Sequence, residues 1–324
     1  MCKRYWKITR QIARRSVALL VFVAASAPSL HGQSPIQIRD VVNAASFREG
    51  MPSGGALATI FCSGLGEAPG MYTASPPLPF KLAGVEVTVN GAPSPILAVY
   101  IPAPGQSAPA QINFQVPVER NSTFDPLGTP DKVTVVVKSD AVLGSGTLPE
   151  LGGDRPGWGG FFADSNGYVI AQHASDNSLV TLQNPARAGE TIIAYGDDFF
   201  TVWPPPPMAV PAPQQPLSTL NTNVPKFIGW TELYLQDYPT TTQCAGMGFP
   251  CGSQATSAPL SIQFAGLAPG MIGVEQTNFV VPAGQAPGDW ALFFNAGSCA
   301  PIAQNVCSST GGANSSPYAK LPVR

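Results

Sequence analysis

A seven-residue pattern, Gln-x-Asn-Phe-x-Val-Pro, occurs twice in this chain of 324 residues, at 111–117 and again at 276–282. Five identities at one spacing indicate that one structural unit is used twice. In an extended stretch, alternate side chains face the same way, and the final proline lacks the amide donor that would prolong a ladder. The pattern therefore predicts the same strand, ending at the same place, in two similar domains, with Phe114 and Phe279 both buried.

A weaker echo precedes each copy of the pattern. Residues 59–64 and 191–196 are apolar runs that begin with Thr-Ile and end in glycine. From the start of the echo to the end of the pattern, the second copy is 33 residues longer than the first, which predicts an insertion in the second domain. Neither the pattern nor the echo contains a reactive group, so both indicate architecture rather than chemistry.

The abundance of glycine and proline constrains the secondary structure. The chain holds 33 Gly and 35 Pro, the two poorest helix formers, and only 11% of its residues are charged. Its hydrophobic content of 44% is high enough to build packed cores, which argues against disorder. These features together predict an all-β chain with many turns.

Local patterns agree with short strands. Residues 85–89 alternate strictly between valine and polar residues, and the Asn-Gly pair at 90–91 favours a type I′ hairpin. Residues 132–138 are a β-branched run typical of a strand that is buried on both faces, and 192–195 and 290–294 are comparable. Short strands separated by Gly, Pro and Asn indicate β-sandwiches.

The fold class expected is all-β, with two tandem immunoglobulin-like β-sandwich domains. The first domain is placed at 36–151, the linker at 152–157 and the second domain at 158–324. A Pro-rich insertion spans about 197–225, where Trp203 is followed by four prolines. Such a stretch favours polyproline II and cannot lie inside a sheet. The main interpretation is a loop lying over the sandwich, and the alternative is a partner-binding segment.

Residues 1–32 resemble a secretory signal peptide. Six Lys and Arg lie in the first fifteen residues, an apolar run follows from Val17 to Ala27, and small residues end it. Cleavage is expected after Ala27 or Gly32. The alternative is an N-terminal membrane anchor, although the run is shorter than the roughly 20 residues of a spanning helix. We therefore expect a secreted protein, extracellular or at the cell surface, with the periplasm also open.

Removal of the signal changes the charge of the chain. Eleven Lys and Arg then remain against 19 Asp and Glu, a formal net charge of −8. Nucleic-acid binding is disfavoured, because contacts of cationic side chains with phosphates dominate that affinity. Anionic membrane surfaces are disfavoured for the same reason, and no other segment is apolar enough to span a bilayer.

Five cysteines lie beyond the signal. Four of them form two close pairs that predict disulfides in an exported protein: Cys244 with Cys251, and Cys299 with Cys307. Pairing across the two sets stays open, and the spacings do not match a zinc site. Cys62 is left over in an apolar run and is expected to be a small buried hydrophobe. Its use as a catalytic thiol would need His173 as the base, which is the less favoured interpretation.

No catalytic, cofactor or metal site is predicted. Patterns for nucleophile elbows, phosphate loops, dinucleotide folds and zincins are absent from the sequence. The paired acids Asp197 and Asp198 are one alternative, although neighbouring residues of a strand point to opposite faces. Residues 164–167 resemble part of a calcium loop but lack its other ligands, so we interpret them as a turn.

Tryptophans are the other candidates for a ligand site. Trp203 and Trp230 are named as candidate ligand contacts, since an aromatic face can stack on a sugar ring. Trp158 and Trp290 have the same capacity. Core packing is the more common role of tryptophan in a sandwich, and the spacing does not separate the two interpretations.

Several phrases of the sequence resemble the Solibacter-type C-terminal domain family of secreted acidobacterial proteins. They lie at 41–47, 84–91, 111–117, 264–270 and 278–282 and read VVNAASF, GVEVTVNG, QINFQVP, FAGLAPG and NFVVP. The resemblance implies export and a tandem immunoglobulin-like or IPT/TIG-like architecture, and it carries no catalytic residue. This chain departs from the family by its Pro-rich insertion, by its cysteine loops and by standing almost alone behind its signal.

Two functional hypotheses follow. The leading one is a secreted non-enzymatic binding or structural module for cell-surface adhesion or carbohydrate contact, with an extracellular polysaccharide or protein as its partner. The alternative is an extracellular hydrolase with an acid-based site between the two domains, using Asp197 or Asp198.

Overall fold

The protein is described by a computed structural model that covers residues 36–118, 132–152, 159–199, 202–220, 231–237, 259–296, 314–315 and 319–324. This part of the chain contains strands and no helix, which confirms the all-β expectation. It accordingly holds no helix long and apolar enough to cross a membrane. The expected signal at 1–32 and most of the expected linker lie outside these ranges.

The described residues up to Gly152, here called the first half, form ten strands: β1 Gln37–Asn43, β2 Leu57–Ser63, β3 Gly70–Thr73, β4 Lys81–Leu82, β5 Val85–Val89, β6 Ala92–Pro93, β7 Ile96–Ile101, β8 Ala110–Gln115, β9 Lys132–Ser139 and β10 Ser145–Gly152. They make two antiparallel sheets. One has the order β1-β2-β8-β7-β3, and the other has the order β10-β9-β5-β4 with β6 paired to β5. Residues of both sheets, including Ile60, Ile112, Val87 and Val135, share one hydrophobic core, an arrangement consistent with a β-sandwich.

The described residues from Gly159 onward, here called the second half, form eleven strands: β11 Gly160–Phe161, β12 Ala171–His173, β13 Thr191–Asp197, β14 Val202–Trp203, β15 Thr219–Leu220, β16 Thr231–Asp237, β17 Ile262–Leu267, β18 Glu275–Val280, β19 Gly288–Ala296, β20 Asn314–Ser315 and β21 Ala319–Val323. One sheet has the order β11-β13-β18-β17-β15-β14 with β12 paired to β13. The other joins β16, β19 and β20, with β21 also paired to β19. A second hydrophobic core contains residues of both sheets, among them Ile192, Phe279, Leu235 and Leu292.

The two copies of the repeated pattern occupy equivalent strands, β8 and β18. Phe114 and Phe279 are both fully buried, which confirms the prediction, and each lies in the core of its own half. Each pattern strand lies between two similar neighbours, β2 and β7 in the first half, β13 and β17 in the second. One of these neighbours, β7 in the first half and β17 in the second, contains a β-bulge at an equivalent position. The extra residue is Leu97 in β7 and Gln263 in β17.

The weaker echo identifies the correct strands with the wrong register. Ala58 of β2 lies opposite Phe114, and Ile192 of β13 lies opposite Phe279. Thr59 is therefore equivalent to Ile193, two residues beyond the Thr191 with which the echo paired it. These pairings also reduce the insertion from 33 residues to 31, because 56 positions separate the first pair and 87 the second.

The hairpin at 90–91 forms as the sequence predicts. Val85, Val87 and Val89 are buried, and Asn90 and Gly91 both have positive φ angles, 49° and 81°, as a type I′ turn requires. The strand pairs with β6 directly after the turn.

Burial on both faces is correct for one of the three predicted strands and wrong for the other two, β9 and β13, since Ile193 and Tyr195 of β13 are only half-buried. Residues 291–294 of β19 are all buried. In β9, Val133, Val135 and Val137 are buried, while Thr134 and Val136 are half-buried. The valine run therefore alternates, because the sheet that contains β9 packs on the core with one face only.

The described residues from 36 onward belong to one compact unit that contains two separate cores. The domain boundaries at 36–151 and 158–324 and the immunoglobulin-like classification stay predictions.

Candidate functional site

A buried carboxylate joins the two halves. Asp197 ends β13, and its Oδ2 accepts hydrogen bonds from the backbone N–H of Leu57 at 2.9 Å and from Nδ2 of Asn43 at 3.2 Å. Asn43 ends β1, and its own Oδ1 accepts the backbone N–H groups of Ala45 and Ser46. One side chain of the second half thus holds the ends of two strands of the first half.

The environment of Asp197 disfavours its charge. The side chain is 0% exposed, and its Oδ1 has no hydrogen-bond partner among the described residues. Burial raises the pKa of Asp197 well above its ordinary value, and the neighbouring carboxylates of Asp198 and Glu275 raise that pKa further. The hydrogen bond from the Leu57 N–H acts in the opposite direction and is the weaker effect.

The two acids at 197–198 do not lie on opposite faces, as two neighbours within a strand would. Asp198 follows the end of β13 and adopts a left-handed φ of 61°. Its Oδ1 accepts the backbone N–H of Ser53 at 3.3 Å, so it also contacts the first half. Glu275 accepts the backbone N–H of Phe199 at 2.6 Å. We call these contacts of the three acids and Asn43 the junction.

The junction brings together the acids of the hydrolase hypothesis, but their geometry suits a structural role. A general acid or base must come within hydrogen-bond reach of its substrate. Asp197 is sealed from solvent, and Asp198 is 8% exposed. In the described part of the chain, no group of three or more His, Cys, Asp or Glu is arranged to hold a metal ion.

The Pro-rich segment at 204–216, here called the strap, lies on the first half of the protein. Gln115, the residue after the core Phe of the first pattern, is fully buried beneath it. Its Nε2 donates to the carbonyl oxygens of Gly55 and Pro207, both at 3.0 Å. Its Oε1 accepts the backbone N–H of Ala209 at 2.9 Å. The strap is therefore a loop lying over a sheet, and that sheet belongs to the opposite half.

Apolar contacts add to the strap. Ala209 packs with Leu78 and Ile272, with Leu97 against the same cluster, and the Leu78 N–H donates to the Ala209 carbonyl at 2.7 Å. The approach is close at Gly55, where an added Cβ would lie 2.7 Å from side-chain carbons of Pro206. Only glycine leaves room for the strap at this point.

The strap covers one end of the outer sheet face of the first half, and a partly exposed row of side chains occupies the other end. Gln111 of β8 lies directly between Phe61 of β2 and Tyr100 of β7. All three are half-buried, and Met71 of the edge strand β3 continues the row at 65% exposure. Alternation along the strands explains the row, since Ile112 and Phe114 point to the core.

The second half repeats the centre of this row. Gln276 of β18 lies opposite Tyr195 of β13, and Asn278 lies opposite Phe264 of β17. In both halves the two amides of the pattern are bonded to each other: Gln111 Nε2 donates to Asn113 Oδ1 at 2.9 Å, and Gln276 Nε2 donates to Asn278 Oδ1 at 2.8 Å. The outward residues of the pattern are thus a hydrogen-bonded pair beside an aromatic ring.

Trp203 is the predicted ligand contact that the structure describes. It lies in the edge strand β14 and is 64% exposed. Trp230, Trp158 and the four cysteines expected in disulfides, Cys244, Cys251, Cys299 and Cys307, lie outside the described residues. Trp290 packs against the second core, and its Nε1 donates to the Ala286 carbonyl.

Cys62 and His173 are not brought together. Cys62 is fully buried in the first core, and burial raises the pKa of its thiol to about 12. His173 belongs to the second half, where it is also buried. Its Nδ1 contacts the carboxylate of Glu190, and its Nε2 contacts the Asn184 carbonyl, so the imidazole ties two loops to the end of β12.

Asp164 is a turn residue. Its Oδ1 accepts the backbone N–H groups of Asn166 and Tyr168, and its carbonyl accepts the N–H of Gly167. These bonds match the turn interpretation of 164–167.

Sequence reasoning missed the partners of these sites. No local feature of the sequence indicates that Asn43 contacts Asp197, 154 positions away. Nor does any local feature indicate that Gln115 bonds to the strap, which begins nearly 90 positions later. The spacing of two in Gln-x-Asn did carry a signal, because it places both amides on one face of a strand.

Comparison of the chain with protein-family models and with curated proteins finds no match.

Proposed function

We propose that this chain is a secreted, non-enzymatic binding module that contacts carbohydrate, at the cell surface or in the surrounding medium. The immunoglobulin-like classification and the resemblance to the Solibacter-type family belong to the same proposal. The observation that carries it is the distribution of the acidic and the uncharged polar groups between the interior and the surface. The acids available for hydrolysis are buried in the junction, whereas uncharged amides and aromatic rings face outward on both halves.

The junction and the strap support this proposal by joining the two halves. Asp197 fixes the ends of β1 and β2, and Gln115 fixes the strap. Outer faces on a rigid scaffold favour binding, since less entropy is then lost when a ligand binds. Trp203 is a further candidate contact, because most of its ring surface is open to solvent at a sheet edge.

Affinity for insoluble polysaccharides and cell-wall material tests the proposal. The chain lacking residues 1–32 should be retained by at least one polysaccharide of a broad panel and should release no soluble sugar. Trp203→Ala is expected to weaken retention several-fold. The matched control is Thr88→Ala, a half-buried residue on the other sheet of the first half, which should leave retention unchanged.

Two outcomes separate the hypotheses. Failure to bind any polysaccharide of the panel would contradict the proposal. Release of reducing sugar that is lost in Asp198→Asn, with the melting temperature unchanged, would instead support the hydrolase alternative.

A further inference from the structure

We propose that the outer faces of β8 and β18 are two equivalent binding sites for an uncharged polysaccharide, centred on Gln111 and Gln276. This inference rests on the proposed function and specifies its sites and its ligand class. It starts from an arrangement that occurs in both halves, an amide pair beside an aromatic ring on the central strand of three equivalent strands.

The first site is a platform of side chains on the outer face of one sheet. Phe61 and Tyr100 lie one strand to either side of Gln111, so the two rings are about 10 Å apart, twice the spacing of neighbouring strands. Aromatic rings offer large, rigid contact area at a low cost in conformational entropy. The platform can therefore bind the apolar faces of successive sugar rings along a chain.

Unused hydrogen-bonding capacity lies between the rings. Asn113 Oδ1 accepts from both Gln111 Nε2 and Thr59 Oγ1. Among the described residues, Gln111 Oε1 and Asn113 Nδ2 have no hydrogen-bond partner. The pair thus holds itself in place and leaves one acceptor and one donor for the hydroxyl groups of a ligand.

The second site repeats this chemistry with other rings. Gln276 Oε1 and Asn278 Nδ2 are likewise without partners in the described part of the chain. Tyr195 lies across from Gln276 and Phe264 across from Asn278. The Tyr195 hydroxyl donates to Gln172 Oε1 at 2.7 Å, which fixes the ring.

The charge of the two faces selects the ligand class. The amides, the rings and the hydroxyl that form them carry no formal charge, and Asp40, opposite Phe61 on β1, is an acid that borders the first face, so an anionic group on a ligand would lose hydration without gaining a partner. An uncharged, hydroxyl-rich chain meets no such cost. The strap strengthens the assignment in the first half, since it covers the end of the face at Gln115 and leaves the end at Gln111 accessible.

Two sites on one scaffold predict avidity. A long polysaccharide that reaches both faces binds the second one at a high effective concentration, which raises the overall affinity without new contacts. A short oligosaccharide occupies each face separately. The same variants should therefore have small effects on a short ligand and large effects on a long one.

Titration calorimetry tests the sites, with a short neutral oligosaccharide cut from whichever polysaccharide retains the protein. The stoichiometry should be two per chain for the wild type, one for Gln111→Ala or Gln276→Ala, and none for the double variant. With the intact polysaccharide, each single variant should lose at least about 10-fold in affinity. Thr88→Ala is the matched control and should keep both values.

A second pair of variants guards against an effect on folding. Tyr100→Ala and Tyr195→Ala leave the amide pairs intact and should reduce binding in the same pattern. If the glutamine and the tyrosine variants fold and still bind two oligosaccharides per chain, the two proposed sites are wrong, while the proposed function stands. Binding of charged polysaccharides alone would overturn the ligand class, and a wild-type chain that binds no polysaccharide would overturn both proposals.

Discussion

Asp197 is the residue on which the union of the two halves most depends. A carboxylate buried without a cation is costly, yet a protonated carboxyl group still accepts the hydrogen bonds from Leu57 and Asn43 through one oxygen. The Oδ1 atom has no hydrogen-bond partner among the described residues, so a proton on it would break no hydrogen bond. The residue thus acts as a neutral acceptor, and the nearby carboxylates of Asp198 and Glu275 favour that state.

The stability of the protein should therefore fall as pH rises. The unfolded pKa of an aspartate is about 3.9, and the pKa of folded Asp197 lies well above its ordinary value. Between the two values the folded chain holds a proton that the unfolded chain has lost, so the free energy of unfolding decreases with pH across this range. Asp197→Asn, a neutral mimic of the protonated acid, should remove this dependence in urea unfolding measured from pH 4 to pH 8.

Two further variants control this measurement. Asp197→Ala removes the acceptor of both hydrogen bonds and should lower the free energy of unfolding by about 1–3 kcal/mol at pH 4, and this difference from the wild type should shrink as pH rises because the titrating group is also lost. Asp176→Asn should leave the slope between pH 4 and pH 8 nearly unchanged, because hydrogen bonds from Ser178 lower the pKa of exposed Asp176 and its titration lies below this range. If the free energy of unfolding of Asp197→Asn changed with pH as steeply as that of the wild type, Asp197 would not be the source of the pH dependence.

At the scale of elements, the sequence predicts strands well where a turn or a stop accompanies them. The Asn-Gly turn after β5 fixes where β5 and β6 begin to pair. The proline that follows each pattern strand fixes where the pairing of that strand ends. Register is less accessible, since Thr59 and Thr191 look equivalent although pairing aligns Thr59 with Ile193. Two residues of offset keep every side chain on the same face, so periodicity cannot detect the error.

The hairpin turn should depend on glycine at 91. Gly91 has a φ of 81°, and an added Cβ would meet no atom within 4 Å, so conformational strain is the only cost of a side chain there. Gly91→Ala is expected to lower the free energy of unfolding by roughly 1–2 kcal/mol. Gly284→Ala is the matched control, because its site is equally open without a positive φ, and it should change stability little. Equal effects of the two variants would contradict this account.

The strap should depend on Gln115. Gln115→Met keeps the volume of the side chain but leaves the carbonyls of Gly55 and Pro207 and the N–H of Ala209 without their partner. A loss of at least about 2 kcal/mol in the free energy of unfolding is expected from these buried groups. Gln263→Met is the control, since Gln263 is exposed and its side chain, among the described residues, bonds only to the Thr191 hydroxyl. A similar loss in both variants would show that the strap contacts contribute little.

At the scale of the whole molecule, the doubling was predictable and the union of the halves was not. The repeated pattern identifies equivalent strands from local spacing alone. The junction joins residues 154 positions apart, and the strap crosses to the other half, so their partners are set by tertiary packing and leave no periodic signal. The pair of acids at 197–198 is visible in the sequence, but its burial in a contact between the halves does not follow from the order of residues.

The two halves should unfold together. Domains in one chain usually move and melt separately when the contact between them is small and polar, but here a buried acid and a strap both cross from the second half to the first. The wild-type chain should give one calorimetric transition, with the calorimetric and van't Hoff enthalpies equal. Asn43→Ala combined with Gln115→Met removes a contact from each connection and should split the transition in two. Two transitions already present in the wild type would mean that the junction and the strap hold the halves together without coupling their stability.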